Sequence, residues 1–174
     1  PNPTDDLESF DELREAADER ALEHYHRMLR ELRSRGMEPM VTLNHYSLPT
    51  WIHDPVSCHV NFNACEKRGW ADRERIIEEI QKYARFAARE FGAQVDRWAT
   101  LNEPMAVIIP GYVQPGEERS NPPAALLQVE AAKTVLQSMI VAHARMYDAI
   151  HRADAGDADG DGTAARVGLV TNVS

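Results

Sequence analysis

The chain has 174 residues and a formal net charge of −9, with 19 Lys and Arg against 28 Asp and Glu. Its 43% hydrophobic and 27% charged residues exclude a disordered or fibrous chain. The acidity argues against a nucleic-acid partner, because phosphate binders carry a basic face, whereas Arg27, Arg30, Arg33 and Arg35 here fall among Glu23, Glu31 and Glu38.

No apolar run is long enough to cross a bilayer and no signal peptide opens the chain, so a cytoplasmic protein without a membrane span is expected. The opening, residues 1–6, reads as a turn. Leu22, Tyr25, Met28, Leu29 and Leu32 then recur at three- and four-residue steps and define one helix face. Gly36 comes next as a left-handed cap, Pro39 blocks continuation, and residues 40–44 read as a short buried strand. Cys58 and Cys65 lie further on. Two cysteines make no disulfide framework, and their gap does not match a structural zinc pair, so reduced thiols in a loop are expected.

Asp72 is the N-cap candidate of a second helix whose apolar face is Ile76, Ile77, Ile80, Tyr83, Ala84 and Ala87, ending at Gly92. Residues 95–101 form the second strand. Asn121 with Pro122 after it signals the start of a third helix running to about residue 150, and residues 167–171 form the third strand. Helix and strand alternate three times, as in parallel strands joined by crossover helices, and the strands are apolar without alternation because both faces are covered. Polar stretches succeed the first two strands at the ends where a β/α barrel carries its active site. A doubly wound open sheet is the rival, but no glycine-rich phosphate loop is present. Three strands cannot close an eight-stranded barrel, so the fold class expected is α/β, a partial (β/α)8 barrel, with residues 1–174 forming one segment of a larger domain.

Asn102-Glu103-Pro104 stands at the end of the second strand, where a carboxylate projects at a barrel mouth and Pro104 is expected to stop both ladder and helix. A carboxylic acid beside an amide suits glycosidic bond cleavage, the acid protonating the leaving oxygen and the amide holding a ring hydroxyl. Trp98-Ala99-Thr100-Leu101-Asn102-Glu103-Pro104 with Gly111-Tyr112 resembles the acid/base strand of glycoside hydrolase family 1, the β-glucosidase family. Val41-Thr42-Leu43-Asn44-His45-Tyr46-Ser47-Leu48-Pro49-Thr50-Trp51 resembles that family's third-strand motif. Gly69-Trp70, Tyr83 to Ala87, Phe91-Gly92, Ala142 to Arg145 and Tyr147 to Ile150 match in the same order and spacing.

The resemblance implies a section from after the second barrel strand to about the fifth. It implies Glu103 as general acid/base, Asn102 as partner of the glycone 2-hydroxyl, and His45 as partner of a hydroxyl further round the ring. Trp98 and Trp51 are expected to pack rather than bind, and Tyr112 is a candidate for the aglycone side. Where the family often has Tyr-His-Trp-Asp, this chain has Asn44-His45-Tyr46-Ser47, a departure that bears on substrate preference. The family's nucleophile lies in a Thr-Glu-Asn-Gly strand, and no Glu-Asn-Gly occurs in these residues. The function implied is a retaining β-glycosidase acting on a β-glycoside or oligosaccharide. The alternative is a non-catalytic sugar-binding relative of the same fold.

No cofactor is required by that chemistry. Asp157, Asp159 and Asp161, with Gly160 and Gly162, have the spacing of a calcium loop, but the twelfth position, which needs a carboxylate, is Gly168. A flexible acidic connection is the expectation there, and a structural Ca2+ the alternative.

Overall fold

The computed structural model describes residues 3–172. Its elements run α1 (Phe10–Ala16), α2 (Glu19–Ser34), β1 (Met40–Asn44), α3 (Pro55–Val60), α4 (Arg73–Phe91), β2 (Arg97–Asn102), α5 (Pro104–Ile108), α6 (Val129–Ala153) and β3 (Arg166–Val170). The three strands form one parallel sheet in the order β1-β2-β3. The α/β class is therefore as the sequence implies. No helix among the described residues is long and apolar enough to cross a membrane.

Local chemistry explains most boundaries. Ser9 and Glu12 form a capping box at α1, an element the periodicity does not announce because only Leu13 of its seven residues is buried. Asp18 accepts the backbone N–H groups of Arg20 and Ala21 at the start of α2. Gly36 ends that helix with φ +71°, and Met37 N–H reaches back to the Leu32 carbonyl at 3.0 Å. Asp72 precedes α4 as expected, but its side chain makes no capping hydrogen bond.

β2 is the covered centre of the sheet, with Trp98, Ala99, Thr100 and Leu101 all buried. On one face α4 and α6 pack together, Ile76, Ile80, Ala84, Ala87 and Ala88 meeting Val135, Met139, Ala142, Met146 and Ile150. Small residues on both helices allow this approach, and Trp98 fills the space beneath them as expected. Trp51 is partly buried and packs at the edge of the same core. The Trp98 indole N–H donates to Asp154 Oδ2 at 3.0 Å, and Gly156 N–H donates to Asp154 Oδ1 at 3.1 Å. Burial nevertheless pushes the Asp154 carboxyl above its ordinary range. The corner is tight: a Cβ on Gly92 would lie 2.1 Å from Asp154 Oδ1, and one on Gly156 would lie 2.6 Å from the Gly92 carbonyl carbon. Close approach, not a left-handed dihedral, is what requires glycine at both places.

Three local expectations are corrected. Pro104 does not stop helix formation but opens α5 at its first position, where a missing N–H costs nothing. The third helix begins at Val129 rather than Asn121, because the intervening backbone is committed elsewhere: Ala125, Gln128 and Leu127 donate to the carbonyls of Gly111, Tyr112 and Val113 at 2.8, 2.7 and 3.0 Å. Ala124 and Leu127 take left-handed backbone dihedrals there, and the Pro122–Pro123 bond is cis. Finally, Cys58 and Cys65 are not free thiols. They form a buried disulfide with a Cα–Cα distance of 4.9 Å, because α3 and the short 3-10 turn at Phe62–Ala64 fold back on each other.

Candidate active site

The two site motifs end on neighbouring strands. Parallel pairing matches Asn44 of β1 with Leu101 of β2, so residues 45–46 and 102–103 leave the sheet side by side at its C-terminal edge. Between β2 and β3 the register moves from Ala99↔Gly168 to Asn102↔Val170, an extra residue on β2 that marks a bulge and re-aims the side chains beyond it. Thr100 occupies the bulge. Its hydroxyl lies 3.2 Å from the Gly168 carbonyl and 2.8 Å from His143 Nδ1, so it donates to the first and accepts from the second. Burial holds the His143 imidazole below its ordinary value, in keeping with a neutral ring in that role.

Immediately after the bulge Glu103 adopts φ 42° and ψ 67°, left-handed for a residue with a side chain. Its N–H donates to the Val170 carbonyl at 2.8 Å, and its own carbonyl accepts from Ala106 N–H at 2.8 Å at the start of α5. Such a conformation costs on the order of 1–2 kcal/mol and persists only where the surroundings over-determine it. Tyr46 on the neighbouring strand end is also left-handed, at φ 73°.

These two strained residues face each other. Tyr46 Oη donates to Glu103 Oε2 at 2.7 Å, and Asn102 Nδ2 donates to Tyr46 Oη at 2.9 Å. His45 Nε2 lies 3.4 Å from Asn102 Nδ2, and the His45 and Tyr46 rings meet edge-on with centroids 4.8 Å apart. The chain of donors thus runs from Asn102 through Tyr46 to the carboxylate. The hydrogen bond to Glu103 is the main reason the Tyr46 phenol is held above its ordinary value. Glu103, Asn102 and Tyr46 are half-buried and His45 is exposed. Glu103 opens onto a cleft of about 850 Å3 whose wall includes Met105, Ile109, Gln114, Glu118 and Arg119.

All three sequence candidates, Glu103, Asn102 and His45, come together in this cluster. Tyr46 is the residue that sequence reasoning missed as a partner of the carboxylate, although it stands inside the third-strand motif where the family often has Trp. Only the phenol oxygen makes its contact with Glu103, and a strand motif does not say which way a side chain turns. Tyr112 is corrected: it is 1% exposed, packs edge-on to Phe62 at 5.8 Å, and belongs to the core rather than to any substrate surface.

A carboxylate on left-handed backbone at the C-terminal end of a parallel strand, beside the amide that precedes it and an imidazole from the adjacent strand end, defines the class: an α/β protein with its polar cluster at the sheet edge where β/α folds carry their sites. The chain belongs to glycosyl hydrolase family 1, whose sequence profile matches residues 14–174. A beta-galactosidase of Pyrococcus woesei is 39% identical over 166 residues, covering 95% of this chain and 32% of that protein. The crystal structure of the β-glycosidase from the hyperthermophile Thermosphaera aggregans superposes with a TM-score of 0.80 at 32% identity, over 93% of this chain and 31% of that one. The β-glucosidase from Pyrococcus furiosus does so with a TM-score of 0.80 at 32% identity, over 98% of this chain and 32% of that one. The chain therefore spans about a third of the length of the relatives it matches.

Proposed function

We propose that these residues are the acid/base section of a retaining β-glycosidase, the part of an eight-stranded barrel from after its second strand through its fifth. The observation that carries this reading is the Asn102–Tyr46–Glu103 hydrogen-bond chain at the C-terminal edge of the sheet, in a member of a glycosidase family. Glu103 gives its proton to the glycosidic oxygen while a second carboxylate attacks the anomeric carbon and forms a covalent glycosyl-enzyme. Glu103 then takes a proton from water, whose oxygen replaces the enzyme carboxylate, and the configuration is retained. Asn102 binds the glycone 2-hydroxyl and His45 a hydroxyl further round the ring. The nucleophile is a Glu outside residues 1–174, roughly 5–5.5 Å from Glu103 in the family-length enzyme.

The substrate class is a β-glucoside or β-galactoside, in line with the names of the relatives. The test is hydrolysis by the family-length enzyme carrying these residues. Glu103→Gln is expected to lower turnover of unactivated β-glucosides by about 10²–10⁴-fold. Glu103→Ala is expected to regain part of its activity on aryl glycosides when azide is added. Unchanged hydrolysis in Glu103→Gln overturns the assignment of Glu103, whereas a family-length protein that binds but does not hydrolyse β-glycosides is the sugar-binding relative instead.

A further inference from the structure

The acidic connection between α6 and β3 holds more than its sequence spacing promised. Asp157 folds the loop around itself: its Oδ1 accepts Gly160 N–H at 2.8 Å and Asp161 N–H at 3.1 Å, and its Oδ2 accepts Gly162 N–H at 2.9 Å. Asp161, the third carboxylate of the sequence motif, is turned away and paired with Arg166, a contact that holds its carboxyl below the ordinary range.

A different carboxylate takes its place. Asp96, just before β2, is 1% exposed. Its Oδ1 accepts Ala158 N–H at 2.7 Å, whereas its Oδ2 is buried and finds no donor among the described residues. A buried carboxylate oxygen left without a partner is costly and calls for a counter-group. One carboxylate oxygen from each of Asp96, Asp157 and Asp159 lies within 4.8 Å of the others. Calcium holds oxygens at about 2.3–2.6 Å, so two ligands across one ion stand at most about 5 Å apart. The three carboxylates already satisfy that limit.

Among the described residues the neighbouring cations reach Asp159 but not the buried Asp96 Oδ2. Arg166 Nη1 is 3.6 Å from Asp159 Oδ2 while its other nitrogen is committed to Asp161, Arg97 is paired with Glu38, and the Arg33 guanidinium donates to the Ala158 carbonyl. Asp154 adds negative potential close by, but both its oxygens are already hydrogen-bonded.

We propose that Asp96, Asp157 and Asp159 bind one structural divalent cation of calcium type, with Asp96 supplying the carboxylate that the loop's twelfth position lacks. All the donors are hard oxygens, and a flexible glycine-containing loop suits calcium better than the strict octahedron of magnesium. Asp96 lies at the N-terminal end of β2 and Glu103 at the opposite end, so the ion fastens the α6–β3 loop to the sheet and takes no part in catalysis. The proposal does not depend on the catalytic reading.

The test is calorimetric titration of CaCl2 into the chelator-treated family-length protein carrying these residues, at neutral pH. One saturable site is expected, accompanied by a calcium-dependent rise in Tm. Asp157→Asn and Asp96→Asn should each weaken binding by at least about tenfold, and Asp161→Asn by less than about threefold. Asp157 is exposed, so its variant decides the matter if the Asp96 variant fails to fold. Absence of saturable binding up to about 10 mM, weaker than even extracellular calcium modules, overturns the proposal. So does Asp161→Asn weakening binding as much as Asp157→Asn while Asp96→Asn leaves it unchanged.

Discussion

The two ends of β2 are built on opposite principles. At its C-terminal end polar side chains are partly exposed, bonded mainly to one another, and carried on left-handed backbone at Tyr46 and Glu103. At its N-terminal end and along the flank, Asp96 and Asp154 are buried and bonded largely to backbone N–H groups, and a methyl group on Gly92 would collide with Asp154 and one on Gly156 with the Gly92 backbone. The first arrangement stores strain and keeps a carboxylate reachable from a cleft. The second removes freedom so that strands and helices meet in one way. Backbone strain is held at one rim, and close packing marks the opposite corner.

That contrast can be broken by mutation. Gly156→Ala should have the largest effect on folding, since its Cβ would meet backbone atoms of Gly92 and Ala93 at 2.6–2.7 Å. A loss of about 3 kcal/mol or more is expected, read by urea denaturation. A loss below about 1 kcal/mol would show that the corner yields and is not the rigid partner described.

Tyr46→Phe tests the other rim. It removes the hydroxyl that donates to Glu103 and accepts from Asn102 while keeping the ring, and because this rim is partly exposed stability should change little. In the family-length enzyme kcat/KM should fall by roughly tenfold, the order of one such bond. An unchanged kcat/KM would mean that Glu103 is oriented by its backbone alone.

The smallest effect concerns pH. Burial lowers the His53 imidazole from its ordinary 6.5, and its Nε2 is buried without a partner among the described residues. The folded state therefore binds fewer protons than the unfolded one. The stability this contributes is complete above 6.5 and is lost as pH falls toward the lower folded value. His53→Phe should flatten the fall in unfolding free energy between about pH 7.5 and 5.5, and an unaltered slope would assign it to other groups.

Much of this molecule is legible in its sequence. The helix at 19–34, the helix at 73–91 and the positions of all three strands accord with periodicity and with Gly36 and Pro39, to within two or three residues at their ends. Only β2 is covered on both faces as expected, Met40 of β1 and Leu169 of β3 being exposed. The 121–128 segment is not legible, because Pro122 at a helix start and Pro122 in a turn look alike locally. The carbonyls of Gly111, Tyr112 and Val113, distant in sequence, settle which one forms. The disulfide escapes for a related reason, since its formation depends on α3 and the adjoining turn folding together rather than on residue count.

At the site, the sequence by itself determined the residue types and their place at the strand ends: Glu103, Asn102 and His45 fall where parallel strands must release them, because β pairing and helix crossover leave little choice. Only the tertiary structure decided their partners. Tyr46 reaches Glu103 across 57 positions, Asp96 meets Asp157 and Asp159 from another element, and Tyr112 turns into the core. Local patterns set backbone course through nearest-neighbour sterics and burial. Side-chain contacts between separate elements depend on register, bulges and close packing, which no short stretch of sequence specifies.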